Sequence, residues 1–400
     1  MTRRTALGWG LAALLLAGCA QTPPAPAGPP ATPQPSATSA TPTTPAASAP
    51  ATERGGTCVD VAAGVGVREQ AGELVMMGVT GDLDSAEEAA LAEGGFGSVI
   101  LMGNTDHGVA GTQERTAAIQ AAGGGDVLIA VDQEGGLVQR LKGPGFDTMP
   151  SAADQARMDP DDLAAAAERW GRQMVDAGVH LDLAPVADVV PADKVATNEP
   201  IGKIDRGYGT TPDAVAERVQ AVVSGFRAAG LAASPKHFPN LGQVVGNTDF
   251  AAKVVDDVTT ADDPALEPYR RLIADGVETV MVGTAYYALI DPDAPAAFSP
   301  TVVGLLREQL GFEGVVISDD LGVAKAVEGV PAAERAVRFV RAGGDLAISV
   351  DPVDAVAMVD GLAAAAEADP ALAERVTDAV GRVLALKADH GLASCEPVRG

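Results

Sequence analysis

Cysteine and histidine are scarce in this chain. Three cysteines and four histidines in 400 residues give no spacing that suits a metal site. His107, His180, His237 and His390 are too scattered to form a ligand set. No other cofactor is implied by any motif. Positive charge is also short: 28 Lys and Arg stand against 54 Asp and Glu, a net charge of −26. That balance argues against a nucleic-acid partner and against an electrostatic membrane patch. It suits a neutral or cationic substrate; solubility and compositional bias account for it as well. The apolar core near the N-terminus, residues 11–16, is too short to span a bilayer as a stable helix.

That core follows Arg3 and Arg4 and ends in Leu16-Ala17-Gly18-Cys19. The ending resembles a lipobox, in which cleavage before the cysteine follows its lipidation. The expectation is a lipoprotein signal peptide over residues 1–18, lipidation at Cys19, and export to the outer face of the cell membrane by the lipid anchor alone. The alternative is an ordinary secretion signal that contains a cysteine. Residues 19–57 are rich in Pro, Ala, Thr and Ser with almost no large apolar side chain. Such a segment cannot bury enough surface to fold and reads as a disordered tether. A glycosylated stalk fits the same composition.

Residues 58–400 have the composition of one globular α/β domain. Eight apolar runs recur at 74–79, 97–102, 127–131, 179–186, 231–234, 279–283, 314–317 and 345–350. Continuous apolar runs suit parallel strands covered on both faces. Helical patterns lie between them at 161–177, 213–229, 264–275, 301–310 and 332–342. The alternation predicts a single (β/α)8 TIM-type barrel. An open doubly wound sheet would want a Gly-rich phosphate turn after the first strand, and Met77-Gly78-Val79-Thr80-Gly81 is a poor one. In a barrel the two chain ends lie close together. Cys58 and Cys395 flank the domain, and a lone pair in an exported domain is expected to be bridged.

Polar residues follow the runs. Asp132 and Glu134 come after the third, Asp188 after the fourth, Lys236 and His237 after the fifth, and Asp319 and Asp320 after the seventh. In a barrel these positions gather on the C-terminal face, where active sites lie. Taken singly, each also reads as a helix cap or a solvated loop residue, most easily Asp320 and Glu134. Asp319 and Asp320 are adjacent, so on a strand only one can face the pocket.

Four segments share a resemblance. They are Ser234-Pro-Lys-His-Phe-Pro239, Val131-Asp-Gln-Glu-Gly-Gly-Leu-Val-Gln-Arg140, Asn198-Glu-Pro-Ile-Gly-Lys-Ile-Asp-Arg206-Gly-Tyr-Gly, and Gly311-Phe-Glu-Gly-Val-Val-Ile-Ser-Asp-Asp-Leu-Gly322. Together they resemble family 3 glycoside hydrolases, in particular bacterial β-N-acetylhexosaminidases of the N-terminal-domain type. The resemblance implies a barrel and the retaining, exo-acting release of terminal β-linked N-acetylglucosamine from carbohydrate such as cell-wall fragments. It implies Asp319 as nucleophile, and Asp132, Arg140, Arg206, Lys236 and His237 as the sugar clamp. A monomer is the expectation.

Three departures qualify it. Leu137 stands where the family motif has its first arginine. Asn240-Leu241 replaces Gly-His. Asn247-Thr248-Asp249 replaces the Asp-Ser-His triplet whose histidine is the family's acid/base. Two readings follow. Asp249, buried beside Asp319 and oriented by Asn247, takes over as a carboxylic acid, which gives the two-carboxylate arrangement of retaining glycosidases. Otherwise the loop is not catalytic and the domain is a glycan-binding lipoprotein. Transfer to phosphate is disfavoured, since an anionic Asp249 would repel it. After the sixth run, Tyr286 and Tyr287 offer a face for a sugar ring or side chains for the core.

Overall fold

A computed structural model describes residues 58–395. The expected signal peptide, Cys19 and the expected tether lie outside the described residues. Eight parallel strands form one sheet: β1 Val75–Thr80, β2 Ser98–Met102, β3 Leu128–Val131, β4 Leu181–Asp182, β5 Ala232–Ala233, β6 Thr279–Val282, β7 Val315–Asp320 and β8 Leu346–Ser349. The order is β5-β4-β3-β2-β1-β8-β7-β6. All eight apolar runs carry a strand, and helices cover the outside. β3, β6 and β8 are buried at every position, as a layer with packing on both faces requires.

The sheet closes between β5 and β6 without a regular ladder. Thr279 Oγ1 donates to Ala233 O at 2.9 Å, Met281 N to Pro235 O at 3.0 Å, and Phe238 N to Met281 O at 2.8 Å. Pro235 and Pro239 have no N–H to give, so the run after Ala233 crosses to β6 by isolated bonds. β4 is equally short. Its run reaches Pro185, which again lacks a donor. The expected runs 179–186 and 231–234 therefore contain strands of only two residues each.

Three of the longest helices begin where the sequence supplies a side-chain acceptor and a proline. Asp159 caps Pro160–Asp176, Thr211 caps Pro212–Ala229, and Asp351 caps Pro352–Ala368. The expected helix 301–310 is α-helical over Pro300–Gly304 and then widens to a π-turn over Leu305–Gln309. Among the described residues no helix is long and apolar enough to cross a membrane.

The barrel's N-terminal end carries its own charged cluster. Buried Asp345 pairs with Arg307, with Arg375 at 2.7 Å and with Arg382 at 3.5 Å, and accepts from Val316 N at 2.8 Å. This cluster ties the start of β8 to β7. Charge is thus not confined to one end of the barrel. Cys58 and Cys395 are joined by a disulfide, their Cα atoms 4.6 Å apart and their positions 337 residues apart. Helix Pro370–Asp389 brings them together, pinned where Lys387 Nζ meets both Glu73 oxygens at 3.0 and 2.9 Å. Closing so long a loop is worth ~5 kcal/mol in the chain-entropy account.

Candidate active site

At the C-terminal face the strand ends enclose a cavity of about 410 Å³. Asp132, Arg140, Arg206, Lys236, His237, Asp249 and Asp319 all line it. The seven residues expected from the sequence therefore meet in one place.

The β3 end supplies two carboxylates. Asp132 and Glu134 are alternate residues and face one way. Both reach Lys236, whose Nζ lies 2.5 Å from Asp132 Oδ1 and 2.7 Å from Glu134 Oε1. Glu134 is also gripped by Arg206, Nε to Oε2 at 2.8 Å and Nη2 to Oε1 at 2.7 Å. Gln133, between them, faces the other way. Its Oε1 accepts from Arg140 N and Leu141 N at 2.9 Å each. Gly135 and Gly136, at φ 98° and 57°, turn the chain so that Arg140 returns to the cavity. The buried Nε of Arg140 has no hydrogen-bond partner among the described residues.

Charge pairing dominates this wall. Burial alone would raise the Glu134 carboxyl, but Arg206 and Lys236 outweigh it and hold it far below the usual range. Burial would lower Lys236, yet Asp132 and Glu134 push it up. Both therefore stay charged. Beneath them Asp182 is fully buried and pushed well up by that burial; its Oδ1 accepts from Gln133 N at 2.9 Å.

His237 is fixed from behind. Its Nδ1 donates to Asp188 Oδ2 at 2.8 Å, since a carboxylate only accepts. Asp188 Oδ1 accepts from Leu241 N at 2.6 Å. Asn240 is buried, and its Oδ1 accepts from Val189 N at 2.8 Å. The Asn240-Leu241 departure therefore braces the chain around Asp188. The Lys236–His237 and Phe238–Pro239 peptides are cis.

Asp319 and Asp320 divide as adjacency requires. Asp320 turns to its own loop: Oδ1 accepts from Gly322 N and Val350 N at 2.9 and 3.0 Å, and Oδ2 from Val323 N and Ala324 N at 2.8 and 3.1 Å. Asp319 is left to the cavity. Burial pushes its carboxyl up, His237 pulls it back, Asp249 adds to the rise, and the result stands at about 6. The nearby cations do not return it to the ordinary carboxylate range. It is still mostly ionised at neutral pH.

Asp249 sits at the rim, exposed rather than buried as the acid/base reading expects. Asn247 Oδ1 accepts from Asp249 N at 2.9 Å; the amide shapes the turn and does not touch the carboxylate. The turn docks on the loop after β7, where Ala326 N donates to Thr248 O at 3.1 Å and Lys325 N to Asp249 O at 3.4 Å. Neither tyrosine after β6 lines the cavity. Tyr287 is buried and its hydroxyl donates to Asn240 O at 2.7 Å, while Tyr286 lies under Lys253 Nζ, 4.6 Å from the ring centre. Leu137 is 73% exposed and does not line the cavity.

The profile of the glycosyl hydrolase family 3 N terminal domain matches residues 66–386. The chain belongs to glycosyl hydrolase family 3. It is a glycoside hydrolase built on a (β/α)8 barrel. Within the family it is 35% identical over 295 residues to a beta-hexosaminidase of Alkalilimnicola ehrlichii, covering 71% of this chain and 82% of that protein. It is 32% identical over 334 residues to beta-hexosaminidase LpqI of Mycobacterium tuberculosis, covering 80% and 82%. The solved beta-N-acetylhexosaminidase of Beutenbergia cavernae superposes with a TM-score of 0.79 at 43% identity, over 81% of this chain and 99% of that one.

Two contributors in this family 3 site were not assigned roles from the sequence. Glu134 reads there as a cap or a solvated residue, yet it is the shared anion of Lys236 and Arg206. Its alternate spacing from Asp132 was the available signal. Asp188 was placed at a strand end without a task; its pairing with His237 joins residues far apart in the chain.

Proposed function

We propose that this family 3 hydrolase is a retaining exo-β-N-acetylhexosaminidase that releases terminal β-linked N-acetylglucosamine. The observation that carries the reading is Asp319, whose carboxylate, unlike that of Asp320, is not taken up by the loop after β7, lining a cavity walled by charged groups with Asp249 at its rim. Asp132, Arg140, Lys236 and His237 hold sugar hydroxyls; Arg206 holds Glu134, which holds Lys236. The Asp319 carboxylate attacks the anomeric carbon while the bond to the leaving oxygen breaks and Asp249 gives that oxygen a proton. Water then attacks the glycosyl ester, Asp249 takes the water's proton, and Asp319 leaves as the carboxylate. The names of the relatives supply the sugar.

The exposure of Asp249 favours a second reading, a glycan-binding protein of the same fold. One assay separates the two: chromophore release from an aryl β-N-acetylglucosaminide set beside the aryl β-glucoside. The first reading predicts release from the acetamido sugar well above the glucoside. Binding of N-acetylglucosamine without release from either substrate would establish the second.

The same proposal places the protein outside the cell, lipid-anchored at Cys19, monomeric, and acting in cell-wall glycan turnover. The support is Leu16-Ala17-Gly18-Cys19 after a short apolar core, with a disulfide that suits an oxidising compartment. Cys19→Ala should move the protein from the membrane fraction to the soluble one. Unchanged membrane retention, with no lipid mass on the wild-type N-terminus, would overturn the anchor.

A further inference from the structure

Exposed large apolar side chains are unevenly placed on this molecule. Among the described residues nine are exposed, and eight of them, all but Val175, lie on segments that follow barrel strands. Single exposed apolar residues need no explanation; a set gathered on one face of a strongly acidic domain does. Two of the eight line the cavity itself: Phe250, 82% exposed, and Val323, 59% exposed.

Their positions fix what they would meet. Phe250 directly follows Asp249, and Val323 lies four residues beyond Asp319. Asp319 is half-buried at the end of β7 and Asp249 is exposed at the rim. A glycosidic oxygen protonated by Asp249 while Asp319 attacks the carbon behind it must lie between them. Everything attached beyond that oxygen points outward, toward the mouth that Phe250 and Val323 line. The two segments are held together by the bonds from Ala326 N to Thr248 O and from Lys325 N to Asp249 O, at 3.1 and 3.4 Å. Asp132, Lys236 and His237 share the inner cavity with buried Met281 and Ile348, while Phe250 and Val323 stand exposed at the mouth beside Asp249. Val323 is placed by Asp320, which accepts its backbone N–H at 2.8 Å.

We propose that Phe250 and Val323 form an apolar clamp for the leaving group. The preferred substrates are then β-N-acetylglucosaminides whose leaving group presents an apolar face next to the glycosidic oxygen. An alkyl or aryl group has such a face, and so does the C–H face of a second sugar ring. The inference rests on the reading of Asp319 and Asp249 given above for its orientation of the substrate.

Sulfur-linked glycosides test it, because they bind without being cleaved. Affinities of the folded protein are measured by calorimetry for methyl and hexyl 1-thio-β-N-acetylglucosaminide and for the sulfur-linked N-acetylglucosamine disaccharide. The methyl compound is the reference within each variant. The hexyl compound should bind the wild type about tenfold tighter than the methyl compound, the gain expected when about two methylenes leave water. Phe250→Ser and Val323→Ser should each shrink that ratio, and the double variant should bring it close to one. Both side chains are exposed, so their loss does not open the core. If the disaccharide preference falls in parallel, the clamp grips a sugar ring. If only the hexyl preference falls, it grips alkyl or aryl groups. A wild-type ratio near one, or a ratio that survives the double substitution, overturns the clamp. The sugar assignment fails separately, if the methyl thioglycoside binds no better than its thioglucoside counterpart.

Discussion

Asp319 titrates under opposed influences, and each has a named source. Burial and the charge of Asp249 raise its carboxyl; His237 and Lys236 lower it, leaving it at about 6. A nucleophile works only as the anion. The acidic limb of kcat/KM on an aryl substrate should therefore fall through a pH of about 6. On an aryl substrate, whose phenolate leaves without a proton from Asp249, the ionised form of Asp249 opposes the Asp319 anion, so Asp249→Asn should move the limb to lower pH. A limb that stays put or rises would show that Asp249 does not face Asp319. Asp319 itself was legible as the residue that ends an apolar run inside a matching motif. Glu134 was not, because its role depends on Arg206, 72 positions away, and on Lys236 from a third segment. Its buried ion pairs exist only once the barrel brings the ends of β3 and β5, one strand apart, to the same mouth. The raised carboxyl of Asp319 was not legible either, since it reflects burial that only the closed pocket provides.

The β7 end shows how one element sets the geometry of the site. Asp320 accepts four backbone N–H groups, from Gly322, Val323, Ala324 and Val350. It fixes the turn after β7 and joins it to β8, and in doing so it sends Asp319 the other way. Asp320→Ala strands these donors, and the cost should be roughly 2–4 kcal/mol, read as a lower Tm and a weaker urea midpoint. An unchanged Tm would mean the loop has other means of support. The cap was legible because two adjacent strand residues cannot share a face. Strand lengths were less legible. The runs at β4 and β5 are mostly apolar, but Pro185, Pro235 and Pro239 remove donors that a ladder needs. The π-turn over Leu305–Gln309 left no mark in the helical pattern.

Across the whole molecule, the eight-fold alternation was legible because every strand is buried and every covering helix is amphipathic or Ala-rich. The disulfide was legible from two cysteines at the domain's ends, and it holds those two ends together. The site was legible as a set, since a barrel gathers the residues that follow its strands. The exposure of Asp249 was not, because it depends on how the loop after β5 lies against the loop after β7. We propose that the end of β7 and the loop after β5 present a pair of carboxylates, Asp319 as nucleophile and Asp249 as acid/base. Transient kinetics of Asp249→Ala on an aryl β-N-acetylglucosaminide, with and without azide, tests it most directly. A phenolate leaves without help from an acid, so the first step should survive, giving a burst as the glycosyl ester on Asp319 accumulates. Azide needs no general base and should restore fast turnover. Wild-type rates for Asp249→Ala on every leaving group, or a slow variant that azide does not accelerate, would contradict the account.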